Sequence, residues 1–259
     1  MPNIFKFYRE RIKDHAYRGK HFRGRLDKLA EMKSEVWPTT PGHFDGTVSE
    51  KNTSETAFQR ALYTHPQIHL VGDGHATPLT WKDIELPIIL SKKSRRRCVD
   101  LIGQTPINGT FLCELKYAKS GAAPPGNAVD YAIFEALLYY AIVDRDPTVL
   151  DKAKVYHPPE SPRFSWKAVS DSRVILVLAN DYYWTTARRS RNLERITNLV
   201  EDIRKSQDIQ VLLCSTPNHT FKPKDVPPGR YRPTLALCAA EIAAAAKSFP
   251  TYRLIVSSD

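Results

Sequence analysis

The sequence predicts an α/β fold with a central mixed β-sheet flanked by helices, and three observations carry that expectation. Apolar runs of strand length occur at 173–179 and 210–214 with a helical segment at 192–205 between them, a spacing that favours parallel pairing. Two further strand-like segments, 95–102 and 110–117, are joined through a turn signal at Asn108-Gly109 and read as an antiparallel pair. Helix-period segments at 54–63 and at about 127–143 bracket that pair.

Taken in chain order, residues 1–50 form a basic helical N-terminal extension and 51–259 the α/β domain. The extension interleaves Lys6, Arg9, Arg11, Lys13, Arg18 and Lys20 with Phe5, Phe7, Tyr8 and Tyr17. Such a mixture either holds a nucleic-acid backbone and stacks on bases or packs as an amphipathic helical hairpin with a solvated face. In the helix at 54–63, Thr53 or Ser54 is the cap, Glu55 opens the first turn, and Ala57, Phe58, Ala61 and Leu62 form the apolar stripe. Pro124-Pro125-Gly126 breaks the chain before Asn127 caps the next helix, on which Tyr131, Glu135 and Tyr139 share a face by their four-residue spacing. Beyond the last apolar run, 222–233 reads as a proline-rich basic loop, 235–247 as an alanine-rich helix and 252–256 as a final strand or tail.

The 259 residues carry a formal charge of +10, with a pI near 9.4. This fits a polyanionic partner, since lysine and arginine gain affinity for phosphates through counterion release, although charge also serves solubility alone. The candidate phosphate contacts are Arg9, Arg11 and Lys13, the run Arg95, Arg96 and Arg97 directly before the first strand, and Arg188 and Arg189 where a helix begins. Without a signal peptide or an apolar span, the sequence gives no reason to expect a membrane partner, and the expected compartment is a reducing one, cytoplasm or nucleus. Cys98, Cys113, Cys214 and Cys238 are then free thiols, although Cys98 and Cys113 could face each other across the hairpin. His65, His69 and His75 lack the second ligand pair that a zinc site requires.

The chemistry concentrates on the strand pair. Successive strand side chains alternate faces, so Glu114 and Lys116 leave their strand together, while Phe111, Cys113, Leu115 and Tyr117 leave on the other side. Asp100 falls beside Glu114 across the turn, so two carboxylates and one ammonium converge. Each acid sits between apolar neighbours, Asp100 between Val99 and Leu101 and Glu114 between Cys113 and Leu115, and an acid in such a setting needs a partner. A hard cation such as Mg²⁺, for which Mn²⁺ can substitute, takes oxygen ligands and is held by one or two carboxylates together with a substrate phosphate. A nearby lysine orients or deprotonates a metal-bound water, or stabilises developing negative charge. The competing reading is a structural ion pair between Lys116 and one carboxylate.

With Asp100 followed by Glu114-Leu115-Lys116, the chain resembles the PD-(D/E)XK nuclease superfamily, the restriction-endonuclease-like fold. The likeness covers this motif and extends more weakly to a helix on each side, over residues 54–143; Val99 stands where the superfamily has a proline. The resemblance implies Asp100 and Glu114 as metal ligands, the Leu115 backbone carbonyl as a further ligand, Lys116 as the catalytic lysine and Glu55 as the acid that completes the site. Glu135 and Tyr139 are similar to the Gln-x-x-x-Tyr pattern of RecB-like members, with glutamate in the place of glutamine, and Tyr131 shares their helix face. The resulting expectation is a Mg²⁺-dependent hydrolase of phosphodiester bonds in nucleic acid, DNA ahead of RNA and an endonuclease in particular, with a homodimer as one possible state. The alternatives are a basic nucleic-acid-binding module that keeps the fold without catalysis, and an α/β domain in which Asp100, Glu114 and Lys116 form a structural network.

Overall fold

In a computed structural model of the chain, the described residues are 4–11, 55–63, 68–72, 75–88, 98–118, 129–153, 163–184, 190–216, 220–226, 230–236 and 251–256. Strands β3 (Cys98–Thr105) and β4 (Gly109–Lys116) form the expected antiparallel hairpin, with Leu101 opposite Cys113 and Thr105 opposite Gly109. Its turn closes through the Asn108 N–H, which donates to Thr105 Oγ1 at 2.9 Å, and Gly109 takes a φ of 66° that few residues with a Cβ adopt. On the next turn of the pairing, Gly103 lies under the Phe111 ring, where a Cβ would meet Phe111 Cε2 at 2.7 Å.

The remaining strands continue the sheet on both sides of this hairpin. β5 (Val174–Asn180) runs parallel to β4 and β6 (Gln210–Thr216) parallel to β5, as the strand–helix–strand spacing predicts. β5 is buried along its whole length, which accounts for its unbroken apolar sequence. Two strands of this sheet were not foreseen: β1 (Ile68–Gly72) and the long β2 (His75–Pro87), which form a second hairpin that adds antiparallel to β3. β9 (Thr251–Val256) pairs antiparallel with β6 and parallel with β1, so the order β1-β2-β3-β4-β5-β6-β9 closes on itself. The segment read as a proline-rich loop is instead a separate hairpin of β7 (Thr220–Val226) and β8 (Arg230–Ala236), in which Pro223 faces Pro233. Proline is tolerated there because the ribbon has free edges on both sides within the described residues. Leu235 and Ala236 therefore belong to β8, and the rest of the expected 235–247 helix lies outside the described residues.

Two apolar layers fill the two faces of the sheet. The outer layer joins alternate strand residues such as Leu112, Val177 and Leu213 to the helices α1 (Ile4–Arg11), α3 (Val129–Arg145), α4 (Pro147–Ala153), α5 (Trp166–Ser172), α6 (Asp181–Trp184) and α7 (Ser190–Gln207). α3 is apolar nearly all round because it is sandwiched between the sheet and other helices, whereas α7, among its described side chains, presents the stripe Ile196, Leu199, Val200 and Ile203. The inner layer joins Leu101, Phe111, Cys113, Leu115, Leu176 and Leu178 to Phe58 and Leu62 of α2 (Glu55–Tyr63). Each of the fully buried leucine and phenylalanine side chains among these stabilises the fold by roughly 1.5–3 kcal/mol relative to exposure. From the N-terminal basic stretch, α1 packs Ile4 and Phe7 into the outer layer, and Arg11 Nη2 lies 2.8 Å from Asp202 Oδ2 of α7. Cys98, Cys113 and Cys214 are free thiols; with Leu101 opposite Cys113, Cys98 is displaced along the hairpin and does not face it.

Candidate metal centre at the open end of the hairpin

The antiparallel ladder between β3 and β4 ends at Leu101 and Cys113, one residue short of Asp100 and Glu114. Beyond that point the Asp100 carboxylate substitutes for a ladder acceptor, taking the Leu115 N–H on Oδ2 at 2.8 Å. The Asp100 carbonyl is in turn taken by Gln59 of α2, whose Nε2 donates at 2.6 Å. The strands thus part without leaving these two groups unpaired, which buried backbone rarely tolerates. On the other side of β3, the pairs Ile84–Leu101 and Leu86–Val99 place Glu85 opposite Asp100. Ile84 and Leu101 join the inner layer while Leu86 and Val99 join the outer, so both strands change face across this position. Glu85 accommodates the change with a φ of 52° and is held by Arg60 of α2, whose Nε and Nη2 donate to its two carboxylate oxygens at 3.1 and 3.4 Å.

Strand alternation sends Glu114 and Lys116 to the outer face, toward α3, as their spacing predicts. Both are buried, and the Lys116 ammonium donates to Glu114 Oε1 and lies 3.2 Å from Glu135 Oε2. Tyr139, one turn along α3, donates its hydroxyl to Glu135 Oε1 at 3.5 Å, and the Tyr131 ring centre is 6.0 Å from the Lys116 Nζ. Glu135 and Tyr131 of this helix face therefore flank the lysine, with Tyr139 behind Glu135. Glu55, at the start of α2, accepts the Tyr117 N–H on Oε2 at 3.2 Å, so it anchors its helix to the residue after β4.

Electrostatics couple these groups. Burial raises the Asp100 carboxyl to about 7 against the opposing pull of Lys116, with Glu55 and Glu135 adding to the rise and the Leu115 N–H opposing it. Burial likewise pushes Glu114 well above the carboxylate range; Lys116 counters this, and Asp100 and Glu135 reinforce it. Glu55 is raised by burial too, with Lys116 and the Tyr117 N–H acting in the opposite sense. Burial alone would lower Lys116, but Glu114, Glu135, Asp100 and Glu55 outweigh it and hold the ammonium well above its ordinary value. Four carboxyl groups thus compete for one lysine, an excess of negative charge that is relieved by protons or by a further cation.

The oxygen-only donor set suits Mg²⁺ or Mn²⁺ and not a softer metal. Among the described residues no three His, Cys, Asp or Glu side chains converge tightly enough to hold a metal by themselves. Asp100, Glu114 and the Leu115 carbonyl are the groups that would hold it, provided that Glu114 parts from Lys116. Of the expected phosphate contacts, Lys13, Arg95, Arg96, Arg97, Arg188 and Arg189 lie outside the described residues, as does the Arg9 side chain, and Arg11 is engaged with Asp202.

Sequence reasoning missed Gln59, Glu85, Asn180 and Tyr183. Asn180, at the carboxyl end of β5, extends the β4–β5 ladder with its side chain, accepting the Ala118 N–H at 3.0 Å and donating to the Ala118 carbonyl at 2.7 Å. A polar residue closing a wholly apolar strand was a usable signal, because a buried amide at such a point needs hydrogen-bond partners. The buried Tyr183 hydroxyl is pushed up by burial, with Lys116 acting in the opposite sense. Gln59 offered no signal, being one polar residue in an amphipathic helix. Comparison with protein-family models, curated proteins and solved structures finds no match to this chain.

Proposed function

We propose that the protein is a Mg²⁺-dependent nuclease with a restriction-endonuclease-like core, hydrolysing phosphodiester bonds of nucleic acid and most specifically acting as a DNA endonuclease. The observation that carries this reading is the convergence of Asp100, Glu114 and Lys116 where the β3–β4 ladder opens, with Glu55 and Glu135 completing an excess of acids. The element order is compatible with it: helix α2, four antiparallel strands β1–β4, helices α3–α5 and the parallel strand β5, with Glu55, Asp100, Glu114, Lys116 and Glu135 on α2, β3, β4 and α3. A bound Mg²⁺ would acidify a water and offset charge on the scissile phosphate. Asp100 and Glu114 would orient that ion, Leu115 would offer its carbonyl, and Lys116 would position the attacking water or stabilise charge on the phosphate. Arg95, Arg96, Arg97, Arg188 and Arg189, with the N-terminal Arg9, Arg11 and Lys13, are the proposed contacts to the nucleic-acid backbone. A two-fold homodimer would suit double-strand cleavage, and the free thiols suit a reducing compartment. Among the described residues no helix is long and apolar enough to cross a membrane.

A second reading is a non-catalytic nucleic-acid-binding module, and a third, which the bridging of Lys116 to both Glu114 and Glu135 favours, is a structural ion network. Incubating plasmid and single-stranded substrates with Mg²⁺ or Mn²⁺ separates the nuclease from both. Cleavage by the wild type that disappears in Asp100→Asn and Lys116→Met supports the nuclease. Binding of DNA without cleavage favours the module, and equal cleavage by all three proteins signals contamination.

A further inference from the structure

We infer that Glu135 is a positioning residue that receives the Lys116 ammonium when Glu114 is drawn to a metal ion. The inference rests on the proposed metal centre and concerns what happens to the lysine once that centre fills. Lys116 is buried, and its ammonium donates to Glu114 Oε1, an oxygen that a cation would also claim. A buried ammonium left without a counter-ion is strongly disfavoured or loses its proton, so the exchange needs a second carboxylate already in place. Glu135 Oε2 stands 3.2 Å from the same nitrogen, on a different element from Glu114. Its other oxygen lies 3.5 Å from the Tyr139 hydroxyl, on the following helical turn. The Tyr131 ring, 6.0 Å from the ammonium, flanks the position from the preceding turn. α3 thus offers a cradle in which Lys116 can remain charged while releasing Glu114. In this arrangement glutamate is better suited than a neutral side chain, because it supplies the charge that Glu114 withdraws.

The test is a double-mutant cycle read by calorimetric titration of Mn²⁺ into wild type, Glu135→Gln, Lys116→Met and the double variant, each checked for a cooperative thermal melt. Glu135→Gln should weaken Mn²⁺ binding by about tenfold, whereas in the Lys116→Met background the same change should matter by less than about twofold. Glu135→Asp, which keeps the charge, should recover part of the lost affinity and serves if the glutamine variant melts poorly. An equal loss in both backgrounds would make Glu135 a ligand or a simple negative charge near the ion and overturn the inference. No loss in either background would overturn it as well. Mn²⁺ binding that survives Asp100→Asn would place the metal elsewhere and defeat the metal centre itself, a result separate from the behaviour of the cycle.

Discussion

The Asp100 carboxylate accepts the Leu115 backbone N–H at 2.8 Å, so the first acid of the motif is bonded to the residue lying between its other two members. This relationship predicts a separation between two substitutions. Asp100→Ala leaves the N–H without its acceptor and should destabilise by about 1–3 kcal/mol in urea unfolding, while Asp100→Asn retains an oxygen and should cost much less. Both should abolish Mn²⁺ binding. Equal unfolding midpoints for the two variants would mean that the hydrogen bond contributes nothing.

The raised Asp100 carboxyl has a direct consequence for the metal-free protein. Folded, it titrates at about 7, against a reference near 3.8 when unfolded, so the folded state holds the proton more tightly. Its contribution to stability is full below the lower value and is lost as pH rises through the upper one. Thermal melts in a chelating buffer should therefore show stability declining between those limits. Asp100→Asn should flatten the decline, and an unchanged slope would remove Asp100 as its source.

Gly103 is predicted to resist substitution. Its missing Cβ makes room for Phe111, which would otherwise meet it at 2.7 Å inside the inner layer. Gly103→Ala should cost about 1–3 kcal/mol through overpacking, and less in a Phe111→Leu background, where the ring is gone. Additive losses in the double variant would point to Leu79, whose Cδ1 the same Cβ would meet at 3.0 Å, in place of the ring contact.

Gln59 should matter both to stability and to the acid that it supports. Gln59→Leu removes the donor to the Asp100 carbonyl and should cost about 1–3 kcal/mol while weakening Mn²⁺ binding. Gln59→Glu, which lacks the donor, should fare no better. Full metal affinity in both variants would show that Asp100 is aimed without help from α2.

Neutralising Arg95, Arg96 and Arg97 together tests the nucleic-acid interface. The log–log dependence of DNA affinity on salt should flatten by about 0.9 for each phosphate that the variant no longer neutralises, with Mn²⁺ affinity unchanged. An unaltered slope would move the interface to Arg188 and Arg189 or to the N-terminal stretch.

The hairpin, the parallel unit and the shared face of Glu114 and Lys116 were legible because each rests on a short-range signal: a turn at Asn108-Gly109, two apolar runs and a two-residue period. β1 and β2 were hidden because Pro78 and the polar positions between 75 and 85 break the apolar pattern, and because Glu85 shifts the alternation by one. The β7–β8 hairpin was obscured by paired prolines that an edge strand accepts and a central strand would not. At the site, the acids and the lysine were visible as residue types, but Gln59 and Arg60 act through backbone or charge placed by tertiary packing. Nothing in their local sequence encodes that.

Because β9 bridges β1 and β6, the main sheet exposes no unpaired strand along either margin within the described residues. Self-association by strand addition, the usual hazard of an open sheet, is thereby blocked at the main sheet, so subunits that meet there must do so through helices or loops. The same closure joins residues 69–71 to 251–253, the most distant strands of the chain. Sealing the ring is accordingly the step with the greatest loop-closure entropy, and it belongs late in folding, after the local β3–β4 hairpin has formed. Until then both margins stand open, which makes the interval before the last strand docks the period of greatest exposure to aggregation.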